Sequence, residues 1–373
     1  MDRRIPVVAL AVTTLIAGMG AAGPSPTPTS PPSATPSPSA SASAVPAQSD
    51  GTLQILTYRG YADYSSTTTE FERVTGCRIA RFDTVQTADE MAARVTERPY
   101  DVISAGPVLA ASLIEGKQVQ PIDPARVSGY GDLTKRFREM TSQSGKVYGV
   151  PYLWGHHEFL YDSAKVKKGG DLRRVFTSDD VALQDSPLTI ADAALAVGGV
   201  DDPYELTTEE LDRVMRLLRE RPGRTYWKNP LDLLKGFATG SLDYAQATPY
   251  YRLLLQKAGK PVKAVDARKT TGWVDSWMLG AGLPNTDCAY RWLSYTASPA
   301  VQRNAAAWVG LAPANPKACT SKAKRICDVY GADKPGRLDR IVFAVRPPGG
   351  CSAGEGECTD YAAWTARWRS LVG

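Results

Sequence analysis

Apolar and polar positions follow two alternating rhythms in the stretch that begins near residue 50. Leu53-Gln-Ile-Leu-Thr-Tyr58 reads as a buried strand. Thr69-Glu-Phe-Glu-Arg-Val74 reads as a helix stopped by Gly76, because glycine enters the left-handed region at no steric cost. Residues 77–82 form the next predicted strand. Residues 89–95 form a helix with Met91, Ala92 and Val95 on one face, and residues 100–105 a third strand. Strands and helices in this order predict an α/β fold with a largely parallel sheet.

The pattern changes after residue 147. Residues 147–155 are apolar and punctuated by Pro and Gly, which predicts an extended crossover into a second lobe. Residues 188–197 read as a helix. Thr207-x-x-Glu210 is a capping box that opens another, with Leu211, Val214, Met215 and Leu218 at i, i+3, i+4 and i+7. Gly272-Trp-Val-Asp-Ser-Trp-Met-Leu279 reads as a strand returning to the first lobe. Asp287 caps a helix carrying Tyr290, Trp292 and Leu293, and Pro299 opens a further helix closed near Gly310. There is no internal repeat.

The N-terminus has a different character. Asp2-Arg3-Arg4, an apolar run over residues 5–19 and the small residues Gly20-Ala-Ala22 read as a signal peptide over 1–22, cleaved or kept as an anchor. Residues 23–49 are a Pro/Ser/Thr/Ala-rich stalk. Its segment 24–48 holds 8 Pro and 7 Ser and no charge, so it cannot bury enough apolar surface to offset the entropy of ordering. No lipobox Cys follows the apolar run. Export to the cell surface or medium is therefore expected, with tethering to the membrane or wall possible through the N-terminus. In that setting the six cysteines, Cys77, Cys288, Cys319, Cys327, Cys351 and Cys358, read as three disulfides among fifteen connectivities. Cys319 with Cys327 and Cys351 with Cys358 close short loops, leaving Cys77 with Cys288. A zinc site fits poorly: no C-x2-C pair occurs, and the two histidines, His156 and His157, are far from the cysteines in sequence.

The net charge of +5 is mild and scattered, which argues against nucleic acid. Gly350-Cys-Ser352-Ala-Gly354 spells the hydrolase elbow, but Pro and Gly replace the strand it needs and no histidine follows it. Gly18 to Gly23 spells G-x-G-x-x-G inside the signal segment, where no strand precedes it. No H-E-x-x-H or phosphate-binding loop is present. No cofactor, metal or enzymatic activity is expected, and an exported hydrolase is the remote alternative. What does stand out is Trp273-Val-Asp275: i, i+2 spacing puts an indole and a carboxylate on one strand face, a pairing suited to an ammonium group. Taken by itself, this spacing fits an interface Trp beside a solvated Asp better than a ligand site.

Tyr100-Asp-Val-Ile-Ser104, Val147-Tyr-Gly-Val-Pro-Tyr-Leu-Trp-Gly155 and Gly272 to Leu279, with Ser298-Pro-Ala-Val301 and Gly310-Leu-Ala-Pro-Ala-Asn-Pro316, occur in a characteristic order. In that order the chain resembles the extracellular solute-binding proteins of ABC transporters, in the spermidine/putrescine branch. The six cysteines and the ending Cys358-Thr-Asp-Tyr-Ala-Ala-Trp364, with Trp368, are similar to an actinobacterial subgroup. The resemblance implies a two-lobed type II periplasmic-binding-protein fold, with mixed sheets flanked by helices and a two-strand hinge. Lobe 1 would comprise 51–150 plus 277–318 and lobe 2 residues 151–276, with 319–373 a disulfide-containing tail packed on both. Cys77 and Cys288 then share a lobe. It also implies a stacking role for Trp273 and amine binding by Asp275, with Asp185 near a second acidic position and Ser104 in the cleft. Arg59 stands where a cleft aromatic is expected, with Tyr61 a nearby substitute; an Arg facing the cleft would favour a zwitterion. The expected function is a monomeric extracytoplasmic receptor delivering a small putrescine- or spermidine-like amine to ABC permease subunits. The alternatives are a zwitterionic ligand such as an amino acid or betaine, or a ligand sensor without transport.

Overall fold

The computed structural model describes residues 51–62, 66–221, 224–284, 287–334, 336–344 and 358–373. The expected signal peptide and stalk lie outside these residues. Among the described residues no helix is long and apolar enough to cross a membrane.

The predicted opening elements form with little adjustment. Thr52–Tyr58 pairs in parallel with Arg78–Val85 and with Val102–Ala105. The helix Thr67–Thr75 ends on Gly76 at φ 72°, and Ala88–Glu97 is capped by the Thr87 side chain, which accepts from the Glu90 amide. These strands belong to an eight-stranded mixed sheet whose order continues through Thr270–Gly280 and Val150–His156 to Ala312–Pro313. Ile341–Phe343 and Val119–Gln120 pair on either end of Thr270–Gly280. Trp154, Trp277 and Trp292 are buried against this sheet, with Phe71 and Trp277 meeting Trp292 edge-on at 4.9 and 5.3 Å. Each such side chain contributes roughly 1.5–3 kcal/mol by leaving water. The Cys77–Cys288 disulfide pins the helix Asp287–Ala297 to the start of the second strand.

A second sheet has five strands in the order Thr225–Trp227, Val181–Gln184, Tyr244–Ala247, Glu158–Asp162, Val262–Ala264. The helix Thr208–Arg219 covers it with Leu211, Val214, Met215 and Leu218 buried, and both hydrogen bonds of the Thr207/Glu210 capping box are made. The C-terminal helix Tyr361–Val372 packs on the same core through Trp364 and Trp368.

The chain moves from the first sheet to the second at His157 and returns along Thr270–Gly280, which runs antiparallel to Val150–His156. The lobe boundaries expected at 150/151 and 276/277 therefore fall at the start of one strand and inside another. Both strands lie wholly in the first sheet, because their apolar side chains fill its core. The segment beyond 318 serves both sheets: Ile341–Phe343 extends the first, while Tyr361–Val372 packs on the core of the second. Cys319 and Cys327 are bonded to each other, and Cys358 is also in a disulfide; its expected partner Cys351 lies outside the described residues.

Candidate functional site

The carboxyl ends of the parallel strands of the first sheet open on the pair of strands that join it to the second. Three residues of the sequence-based set meet there. Tyr58 ends the first strand, and Gly60, at φ 92°, makes the turn that brings Tyr61 back over it, with the Tyr61 amide on the Tyr58 carbonyl at 3.1 Å. The Tyr61 hydroxyl donates to Asp275 Oδ2 at 2.5 Å, across 214 residues of sequence. The Tyr61 ring lies 5.6 Å from Tyr58 and 6.2 Å from Tyr152, whose own hydroxyl donates to the Tyr61 carbonyl at 2.7 Å.

Asp275 is 4% exposed. A Cβ at Gly106 would come within 3.0 Å of Asp275 Oδ1, so the carboxylate lies against the entry to the helix Pro107–Glu115, the positive end of its dipole. Burial pushes its pKa up from 3.8 to about 6, against the opposing hydrogen bonds of Tyr61 and Trp273. Among the described residues no Lys or Arg forms an ion pair with it. The result is a buried carboxylate, ionised at neutral pH, held by neutral donors. Burial and the neighbouring Asp275 charge together drive the Tyr61 hydroxyl well above its ordinary value, so it stays a donor.

Trp273, two residues earlier on the same strand, lies over Gly155: any Cβ there would fall 2.5 Å from the indole. The His157 ring lies 5.3 Å from the indole between centroids. His157 was not anticipated as a site residue. Its Nδ1 is 2.6 Å from Asp192 Oδ2 and 2.9 Å from Thr271 Oγ1, and its Nε2 is 3.0 Å from Gln184 Oε1. Gln246 donates to the same Asp192 oxygen at 2.8 Å, and the Thr271 hydroxyl to the other at 2.8 Å. Burial disfavours charge on His157, but the Asp192 carboxylate outweighs it and raises the pKa. This buried network joins both sheets directly behind Trp273. In sequence its only signal is the His156-His157 pair, in a chain with two histidines.

The remaining expected site residues lie elsewhere. The Ser104 hydroxyl is buried and bonded to Thr57 Oγ1 at 2.8 Å between adjacent strands, because Ser104 sits inside the sheet rather than past its edge. Arg59 follows Tyr58 and is exposed. Asp185 follows the strand Val181–Gln184, but its Oδ1 accepts from Trp368 Nε1 at 2.7 Å and its Oδ2 lies 3.3 Å from Lys228 Nζ.

The fold has clear relatives among solved structures. The spermidine/putrescine ABC transporter substrate-binding protein PotD of Streptococcus pneumoniae is 15% identical, with 86% of this chain and 97% of that one covered and a TM-score of 0.68. A GABA receptor is 17% identical over 78% of this chain and 90% of its own, with a TM-score of 0.64. The binding protein AgtB of A. tumefaciens R10, in complex with agropinic acid, is 17% identical over 86% and 98%, with a TM-score of 0.61. The architecture is thus the type II periplasmic-binding-protein fold anticipated from the sequence. The family model described as bacterial extracellular solute-binding protein matches residues 67–325, more than half of the chain. This chain belongs to the bacterial extracellular solute-binding proteins.

Proposed function

We propose that the chain captures a small organic ammonium ligand outside the cytoplasm and passes it to the permease of an ABC importer. The observation that carries the ligand class is Asp275, a buried carboxylate in contact with Tyr61 and Trp273 and without a cationic partner among the described residues. An ammonium supplies the missing charge, and the Trp273 face adds a cation–π attraction. The related structures named above hold or are named for different ligands, so the ligand class here rests on Asp275 rather than on kinship. The mechanism is population shift: a ligand touching both sheets' elements binds the closed arrangement better and draws the equilibrium toward it.

The test is calorimetry and thermal shift of the purified protein with putrescine, spermidine, GABA, choline and betaine, with glucose and succinate as controls. At a ligand concentration 100-fold above Kd, stabilisation of about 2.7 kcal/mol is expected. Binding of at least one ammonium compound, lost in Asp275→Asn, supports the reading. Stabilisation by glucose or succinate alone, or unchanged affinity in the variant, overturns it.

A further inference from the structure

We propose that a cavity on the reverse face of the strand Thr270–Gly280 is a second binding site, which takes a neutral molecule of about the size of phenol through an apolar body and one hydroxyl. The proposal goes beyond the reading of Asp275 and does not depend on it.

Side chains alternate across a strand, so Trp273 and Asp275 share one face and Val274, Ser276 and Met278 the other. The second set lines a cavity of about 140 Å³. The helix Pro107–Glu115 supplies Ala110, Ala111 and Ile114 to the same lining. None of the described lining residues is charged. An ion would lose its hydration here with no countercharge to replace it, so the cavity rejects the ammonium compounds proposed for Asp275.

Ser276 sets the polar requirement. It is 3% exposed, and its hydroxyl has no hydrogen-bond partner among the described residues. Gly149 packs against it, with a Cβ there falling 2.8 Å from Ser276 Cβ, and so presents no side chain to bond. Thr141 and Ser142, also in the lining, spend their hydroxyls on the Arg138 carbonyl at 3.2 and 2.9 Å. A buried hydroxyl left without a partner is costly, and a ligand O–H that donates to it or accepts from it removes the cost. An apolar cavity of about 150 Å³ admits benzene, so a ring bearing one hydroxyl matches both the volume and the orphaned group.

The experiment measures calorimetric affinities of the purified protein for phenol and toluene in the wild type, Ser276→Ala, Ala110→Leu and Asp275→Asn. Ser276→Ala removes an unpartnered group and Ala110→Leu keeps a strong helix former while filling the cavity, so both retain the fold. The wild type should bind phenol with a Kd of about 1 mM or tighter. Ser276→Ala should weaken phenol about three- to tenfold without weakening toluene, because only phenol loses a hydrogen bond. Ala110→Leu should abolish binding of both, and Asp275→Asn should leave both in place. Absence of phenol binding to the wild type at 10 times that concentration overturns the inference, as does binding that survives Ala110→Leu. Phenol affinity that Ser276→Ala leaves unchanged overturns the assignment of the hydroxyl. Loss of phenol binding in Asp275→Asn alone would place the molecule at the other face of the strand, and overturns the second site while leaving the amine reading to its own test.

Discussion

Holding Asp275 ionised inside the folded protein is expensive, and the cost can be read from the structure. In the unfolded chain the carboxyl titrates near 3.8; in the folded protein burial lifts it to about 6. At pH 7 the ionised group therefore destabilises the ligand-free fold by about 3 kcal/mol, at 1.36 kcal/mol for each pH unit between the two values. The folded chain keeps a proton on Asp275 between those values while the unfolded chain gives it up. The folded state binds more protons there, so stability falls as pH rises from about 4 to about 6 and the full cost is present above 6. Asp275→Asn removes the charge but keeps an oxygen for the Tyr61 hydroxyl.

The variant should accordingly be more stable than the wild type at pH 7, by about 2–3 kcal/mol, and the difference should shrink toward zero by pH 4. Urea denaturation of both proteins at pH 7, 5.5 and 4, without ligand, measures it directly. A variant that is equally or less stable than the wild type at pH 7 would refute the argument, because the carboxylate would then be adequately solvated or paired. So would a stability difference independent of pH.

Two further outcomes follow from the buried groups. Asp192→Ala strands His157, Gln246 and Thr271, and should cost about 3–5 kcal/mol in the same denaturation assay. Because the folded pKa of His157 is raised, its share of that loss is complete below about 6.5 and fades as pH rises through the folded value, so the gap from the wild type narrows at high pH. The Cys77–Cys288 bridge spans 211 positions, and its removal in Cys77→Ser/Cys288→Ser should cost about 5 kcal/mol through restored freedom of the unfolded chain. A measured loss below about 1 kcal/mol would mean that the unfolded chain already holds those segments together.

Elements with a local cause were legible in the sequence. Gly76 and Gly310 stop helices because the chain turns left-handed there, and Thr207 with Glu210 opens one because the two groups satisfy each other's amides. The helix Pro107–Glu115 escaped because it is apolar nearly all round and gives no 3.6-residue period. Pairing across long separations is the other blind spot. Nothing local to Asp275 shows that Tyr61 lies on it, and nothing near Asp185 announces Trp368, 183 residues away. The i, i+2 spacing of Trp273 and Asp275 put both on one face, but it could not say that the face was dry. That dryness separates a solvated aspartate from a buried charge; Tyr61, itself held by the Tyr152 hydroxyl, and Gly106 lie against the carboxylate.

The position of Asp275 also explains why such a cost is tolerable in a receptor. The residue lies on Thr270–Gly280, the strand by which the chain returns from the second sheet, with Tyr61, just past the strand Thr52–Tyr58, on one side and the His157–Asp192 network behind Trp273. A cation bound here, as proposed, would relieve a penalty of about 3 kcal/mol, and that relief would be available only in an arrangement that keeps Asp275 dry. In an arrangement where water reaches the carboxylate, the penalty is already absent and the ligand gains less. On the proposed function, the strain would convert the ligand's charge into a preference between arrangements, which a solvated aspartate of the same affinity would not do. Below pH 6 the proton takes over the neutralising role, so ligand affinity should fall about tenfold for each further pH unit while the ligand-free protein becomes more stable. Opposite pH trends for affinity and stability, both breaking near pH 6, are the signature of this coupling; a break in affinity without its counterpart in stability would mean that a different group receives the ligand.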